Sequence, residues 1–118
     1  MKYLCLVYCA EERLHALPES PEDSECLAFA RNLQAGGSML AAEALEPVHT
    51  AATLRVRDGG TSITDGPFAE TKEQLAGFYL LEADNRDEAL RTAAGIPAAR
   101  VGSIEVRPVR ALAAGQDG

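Results

Sequence analysis

The residues best suited to chemistry in this chain lie within residues 61–74, which read TSITDGPFAETKEQ. Asp65 carries a carboxylate that can act as a general base, or that can cap a turn by accepting a backbone N–H group. Gly66 and Pro67 make the chain stop and reverse beside it, because glycine tolerates unusual backbone angles and proline fixes φ. We expect a turn here, followed by a helical turn through residues 69–73. Both roles of Asp65 remain open at this point.

Acid-base chemistry at Asp65 would need a second group that exchanges protons. His49 lies in the loop that leads to a predicted hairpin and can approach the same cleft, whereas His15 follows the first predicted strand. Histidine titrates near neutral pH, although an exposed loop histidine is usually only solvated. Tyr8 ends that first strand, where its hydroxyl either enters the cavity or is hydrogen-bonded beside a packed ring. The sequence therefore supplies candidate partners without completing a catalytic constellation.

Four further residues are candidates for ligand binding, and each has a structural alternative. Phe68 is expected to anchor the turn in the core, or else to line a pocket. Glu43 interrupts an apolar strand, so it lies on an exposed edge or inside a pocket, where a carboxylate would be a functional candidate. Glu70 and Lys72 share one polar turn that is either a solvated surface or part of a binding site.

Charge and motif content exclude several classes of partner. The chain has 118 residues with 11 basic and 18 acidic side chains, a net charge of −7, which opposes binding to nucleic acid or to anionic lipid. The apolar run at residues 1–9 is too short to span a membrane and lacks a signal-peptide cleavage site. We therefore expect a cytoplasmic protein with neither a nucleic-acid nor a membrane partner.

The sequence predicts no metal site and no cofactor. The three cysteines lack CxxC spacing, and Cys5 and Cys9 would lie roughly 13 Å apart on one strand face, too far to share a metal or a disulfide. The glycine pairs at 36–37 and 59–60 are typical of a helix end and a turn, without phosphate-loop spacing. We expect all three cysteines, Cys26 included, to pack as small apolar side chains.

Hydrophobic periodicity predicts two βαβ units separated by a hairpin. Helix 21–35 should begin at an N-cap serine, Ser20, and a second helix at an Asn85 capping box. In the hairpin, Leu54 and Val56 are expected to point inward. The predicted strands are residues 2–9, 38–45, 53–58, 61–63, 75–83 and 103–109.

This element order predicts an α+β fold, a ferredoxin-like split βαβ sandwich with an inserted β-hairpin. One domain should span residues 1–110, with residues 111–118 forming a disordered tail. Strands 2–9 and 75–83 are apolar on both faces, as expected of the two central strands. Two helices can cover only one face of a four-stranded sheet, so the other face needs a second copy of the chain. The sequence therefore predicts a homodimer.

The run VRDGGTSITDGPFAETKEQLAGFYLLEADNRDEAL, with MKYLCLVY at the start and IEVRPV near the end, resembles the YCII-related family. The similarity covers residues 1–109 and is to the branch named for its DGPF tetrapeptide. It implies a dimeric ferredoxin-like α+β barrel. It also implies a His-Asp pair in acid-base chemistry on small molecules, with one branch resembling enzymes that process chlorinated aromatic rings. Asp65 matches the aspartate of the motif, whereas Cys26 occupies the position of the helix histidine.

Two hypotheses of different class follow. In the first, the protein is a small-molecule enzyme or binder whose pocket lies between the sheet and the DGPF loop, with Asp65 as proton acceptor. In the second, it is a non-catalytic dimeric module that acts on a regulatory protein partner. The second draws on the resemblance, because DGPF proteins look like frequent neighbours of extracytoplasmic-function sigma factors. The sequence does not decide whether the protein is an enzyme.

Overall fold

The computed structural model describes residues 1–14 and 16–112, so His15 and residues 113–118 of the expected tail lie outside the described residues. The fold is the expected α+β arrangement, a ferredoxin-like split βαβ with an inserted hairpin. The helices are α1 (Glu11–Leu14), α2 (Asp23–Ala35) and α3 (Arg86–Ala93). The strands are β1 (Lys2–Cys9), β2 (Met39–Ala44), β3 (Ala52–Arg57), β4 (Gly60–Asp65), β5 (Gln74–Glu82) and β6 (Ser103–Pro108).

Four strands form an antiparallel sheet in the order β2-β5-β1-β6, which confirms β1 and β5 as the central strands. Successive residues of a strand point to opposite faces. On β1 the residues at odd positions, from Tyr3 to Cys9, are buried, and the residues between them are only half-buried. The core therefore lies on one side of the sheet. We call this sheet with its helices the body.

The helices cover that one side. Phe29 and Leu33 of α2 pack against the cluster that contains Cys5 and Leu81. The ring of Phe29 meets the ring of Tyr79 edge to face, with 5.7 Å between centroids. From α3, Ala89 and Ala93 are buried against the sheet. Their small side chains let the helix approach closely.

The helix starts agree with the sequence prediction in one case and not in the other. The Asn85 side chain accepts a hydrogen bond from the Glu88 amide at 2.9 Å, and the Glu88 carboxylate accepts one from the Asp84 amide at 3.1 Å. The predicted cap of α2 was wrong. Glu22 occupies that position without a side-chain cap bond, because the Ser20 hydroxyl donates instead to the Leu14 carbonyl.

The opposite side of the sheet carries apolar residues that the helices do not reach. Strand pairing places Leu4 opposite Leu80 and Leu6 opposite Phe78, and all four side chains are half-buried. We call this side, defined by these four residues, the helix-free face. The contrast between its partial burial and the full burial of the other side agrees with the expectation that one face lacks a helical cover.

The inserted hairpin does not join the body sheet. β3 and β4 form a separate two-stranded sheet, closed by a turn in which Asp58 and Gly59 both have positive φ, 52° and 78°. Such a pair is typical of the tight type I′ turn that matches strand twist. We call residues 52–65 the arm.

The expectation that the arm's apolar residues point inward was wrong for a single chain. Leu54 is 59% exposed and Val56 is 56% exposed, and Ile63 opposite Leu54 is 66% exposed. The alternation of side chains is as expected, but the body does not cover them.

Candidate functional site

An open pocket of about 330 Å³ lies where the arm joins the body. Pro67 of the DGPF loop and Leu75 of β5 contribute to its wall, and the remaining wall comes from residues 45–48 and 50–51 of the β2–β3 connection. The lining is mostly apolar, as in many small-molecule sites. A wider opening of about 530 Å³ at the start of α2 is lined by residues 17–18 and 20–24, which include none of the predicted site residues.

Backbone hydrogen bonds fix the turn that borders this pocket. The Gly66 amide donates to the Ala51 carbonyl at 2.7 Å, and the Thr53 hydroxyl donates to the Gly66 carbonyl at 3.0 Å. Gly66 has φ of 105°, a conformation that L-residues rarely adopt. Asp65 is paired with Ala52 and directly precedes Gly66, so its backbone is next to residues that border the pocket without lining it.

The helical turn expected after Asp65 is not formed. Residues 66–73 are bends and irregular chain, and among the described residues no hydrogen bond joins the Asp65 carboxylate to the Phe68 amide. Asp65 itself is exposed. The turn is therefore held by its own backbone bonds, without the aspartate cap, and the carboxylate is accessible to a ligand.

Glu11 is a second carboxylate near the pocket, and sequence reasoning missed it. One oxygen of its carboxylate accepts a hydrogen bond from the Val48 amide at 3.0 Å, and the Glu11 amide donates to the Gln74 side chain at 2.9 Å. Glu11 is partly buried. These bonds connect the end of β1 to the pocket wall. The sequence feature that could have pointed to Glu11 was its position two residues after a strand that is apolar on both faces.

Two predicted partners of Asp65 lie close to the same pocket along the chain. His49 is exposed in a short 3₁₀ turn, between the lining residues Val48 and Thr50. Tyr8 is half-buried on β1 and is paired with the lining residue Leu75. The structure thus brings the backbones of both residues to the neighbourhood of the site.

None of the predicted site residues, Asp65, His49 and Tyr8 included, is among those that line the pocket. The Phe68 ring is 78% exposed, so the expectation of a core anchor was wrong; the Arg55 guanidinium lies over it, 5.4 Å from the ring centroid. Glu43 is exposed on β2 opposite Phe78, on the helix-free face. Glu70 and Lys72 are exposed in the loop before β5.

Cys26, at the position of the family's helix histidine, lies in a different environment. Burial raises the pKa of its thiol, and the negative charges of Asp23 and Glu25 raise it further, against the opposing effect of Arg100. Asp65 is not among the groups that influence this pKa. Burial likewise raises the pKa of Cys9. These thiols are therefore held neutral.

The described residues contain no group of three or more histidine, cysteine or acidic side chains placed to hold a metal ion. In residues 1–14 and 16–112, no helix has both the length and the apolar content needed to span a bilayer. What the pocket offers is a mostly apolar wall that includes Glu46, with the Glu11 carboxylate bonded to the wall residue Val48. Such a site can hold a flat apolar body and accept hydrogen bonds from its polar substituents.

Known proteins share both the sequence and the fold of this chain. Residues 1–113 match the model of the YCII-related domain family. An uncharacterised protein of Rhizobium meliloti (strain 1021) is 40% identical over 114 residues, 92% of each chain. The fold is similar to 5-chloro-2-hydroxyhydroquinone dehydrochlorinase from Burkholderia phenoliruptrix AC1100, solved in complex with 2,5-dihydroxybenzoquinone. That likeness has a TM-score of 0.55 at 16% identity and covers 94% of this chain and 95% of the other.

Proposed function

We propose that this chain, which belongs to the YCII-related family, binds a small ring compound with hydroxyl or oxo substituents in the pocket where the arm joins the body. The observation that carries the proposal is the apolar pocket of about 330 Å³, with Asp65 directly before Gly66, whose amide donates to the lining residue Ala51. The DGPF sequence at residues 65–68 supports placement in the branch named for that tetrapeptide.

The choice of a ring compound as ligand is supported by the volume of the pocket and by the structural relative. A site of about 330 Å³ is at the small end of the range for ligand pockets, which suits a single ring better than a nucleotide or a peptide. The dehydrochlorinase that shares the fold was solved with a dihydroxybenzoquinone. Pro67 and Leu75 would contact the ring, and the neighbouring carboxylates would face its polar groups.

Asp65 is the proposed proton acceptor. A ring hydroxyl that donates to this carboxylate forms a charge-assisted hydrogen bond, which is stronger than a neutral one. Full transfer of the proton would leave the ligand as a phenolate and Asp65 as a neutral acid. Glu11 would act differently, because its carboxylate already accepts the Val48 amide and so stabilises the pocket wall.

A homodimer is part of the proposal. Leu4, Leu6, Phe78 and Leu80 leave the helix-free face only half-buried in one chain. Soluble monomers seldom leave a contiguous apolar face of this kind open to water. A second copy is the simplest cover, and equilibrium sedimentation at micromolar concentration tests it; a 12.5 kDa species alone would remove the dimer from the proposal.

The ligand test uses 2,5-dihydroxybenzoquinone and a panel of hydroquinones and phenols as probes. Binding is measured by titration calorimetry and by NMR shifts of the Pro67 and Leu75 neighbourhood. Asp65→Asn should weaken binding at least about tenfold, since a hydrogen bond to a charged group contributes roughly 1.5–3 kcal/mol. The melting temperature should change little, because Asp65 is exposed.

Asp58→Asn is the matched control. It removes the same charge from the other end of the arm, and asparagine tolerates the positive φ of 52° found there. The control should bind like the wild type. If none of the probes shifts residues around the pocket, the ring-binding proposal fails. Equal loss in both variants would show that only the net charge matters.

The alternative, a non-catalytic module with a regulatory protein partner, stays a prediction. The exposed Phe68 ring is a side chain that such a partner could contact. Affinity capture with wild type and Phe68→Ala separates the two functions. A partner that is lost with Phe68→Ala, together with no ring binding, would favour the alternative.

A further inference from the structure

The arm carries an apolar side that its own chain does not cover. Leu54 and Val56 of β3 share this side with Ile63 of β4, and all three are more than half exposed. An isolated two-stranded hairpin is at best marginally stable in water. Hydrogen bonds from the Gly66 amide and the Thr53 hydroxyl hold the base of the arm. They do not support the rest of it. A stable arm of this composition therefore needs a partner surface.

The same chain contains an apolar surface of matching character. The helix-free face presents four large side chains, Leu4, Leu6, Phe78 and Leu80, which are half-buried and lack a helical cover. The two surfaces do not meet within one chain, since the arm residues remain exposed. A second copy would supply both surfaces. If a two-fold axis relates the copies, the arm of each copy covers the helix-free face of the other, so the same contact forms twice.

Charge is compatible with the same pairing. Residues 52–65 of the arm hold two arginines and two aspartates, a net charge of zero, so the other residues carry the whole −7 of this chain. Glu43 lies on the helix-free face beside Phe78, while Glu105 on the same face already pairs with Arg107. A neutral arm can therefore approach the acidic body of a second copy without net electrostatic repulsion.

We propose that the arm of each copy packs along its Leu54–Ile63 side against the helix-free face of a second copy of this chain, forming an arm-exchanged dimer. The inference rests on the homodimer of the proposed function and specifies which segment makes the contact. It does not depend on the ligand or on Asp65.

The direct test is isotope-filtered NMR on a mixture of labelled and unlabelled full-length protein after subunit exchange. Contacts are expected between the Ile63 methyl groups of one copy and the Leu6 or Leu80 methyl groups of the other. A dimer in which these intermolecular contacts are missing would overturn the arm exchange and leave the proposed homodimer in place. A monomer in sedimentation would overturn both, without affecting the separate ligand titration.

A pair of variants gives a second, independent readout. Ile63→Glu places a charge on the apolar side of the arm, and Ser62→Glu places the same charge on the neighbouring residue of the opposite side. Both residues are exposed in the single chain, so both variants should fold. We expect Ile63→Glu to raise the dimer dissociation constant at least about tenfold, as for a central interface residue, and Ser62→Glu to change it less than about threefold. Equal effects of the two variants would contradict the proposal.

Discussion

The body and the arm are built from strands with the same alternation of side chains, yet only the body buries them. In β1 the residues from Tyr3 to Cys9 at odd positions are covered by helices, and Leu81 beside them is 1% exposed. In β3 the alternating residues Leu54 and Val56 remain more than half exposed. Alternation therefore tells which side of a strand is apolar, and the connecting helices decide whether that side is covered within the chain.

The largest expected effect contrasts one residue from each region. Leu81→Ala should lower the unfolding free energy by about 3 kcal/mol, because it removes a fully buried side chain and leaves a cavity. Ile63→Ala should change it by less than about 0.5 kcal/mol in dilute, monomeric protein, since the side chain is already exposed. Urea denaturation at low concentration measures both. Similar losses would mean that the arm is covered by its own chain.

Most of the fold could be predicted from the sequence, because its signals are local. The two-sided strands, the Asn85 cap and the Asp58-Gly59 turn each depend on residues close together in the chain. The site could be placed only coarsely. Asp65 was found from its turn motif, whereas Glu11 reaches the pocket through a bond to Val48, 37 residues away, which no local pattern encodes. The exposed Phe68 shows the same limit, since burial depends on what other segments cover it.

A close backbone contact in the body gives the next largest effect. A Cβ added at Gly102 would lie 2.1 Å from the Tyr8 carbonyl oxygen and 3.0 Å from the Cys9 sulfur, so the end of β1 would have to move. Gly102→Ala should therefore cost about 2 kcal/mol of unfolding free energy. Gly36→Ala is the control, because its Cβ would meet neighbours at ordinary distances of 3.6 and 3.8 Å. If Gly102→Ala leaves the melting temperature unchanged in thermal unfolding, the end of β1 is less tightly packed than these distances indicate.

A smaller effect is expected at the start of α3. Asn85→Ala removes the side chain that accepts the Glu88 amide, and the loss of such a cap costs about 1 kcal/mol. Asn85→Asp should keep most of the stability, since aspartate caps equally well and favours the helix dipole. Ser20→Ala should not show the loss of a helix cap, because Ser20 does not cap α2. Comparable melting temperatures for Asn85→Ala and wild type would contradict the assignment of this cap.

The smallest effect at neutral pH concerns Cys5, on the covered side of β1. Burial raises the pKa of its thiol from 9.0 to about 11. Between these values the unfolded chain loses the proton while the folded chain retains it, so this contribution to stability is complete below pH 9 and disappears as pH rises through 11. Cys5→Ala should make stability fall less steeply over that range, whatever its effect at pH 7. If stability depends on pH in the same way for the two proteins, water reaches Cys5. The covered side of the body would then be as accessible to water as the arm.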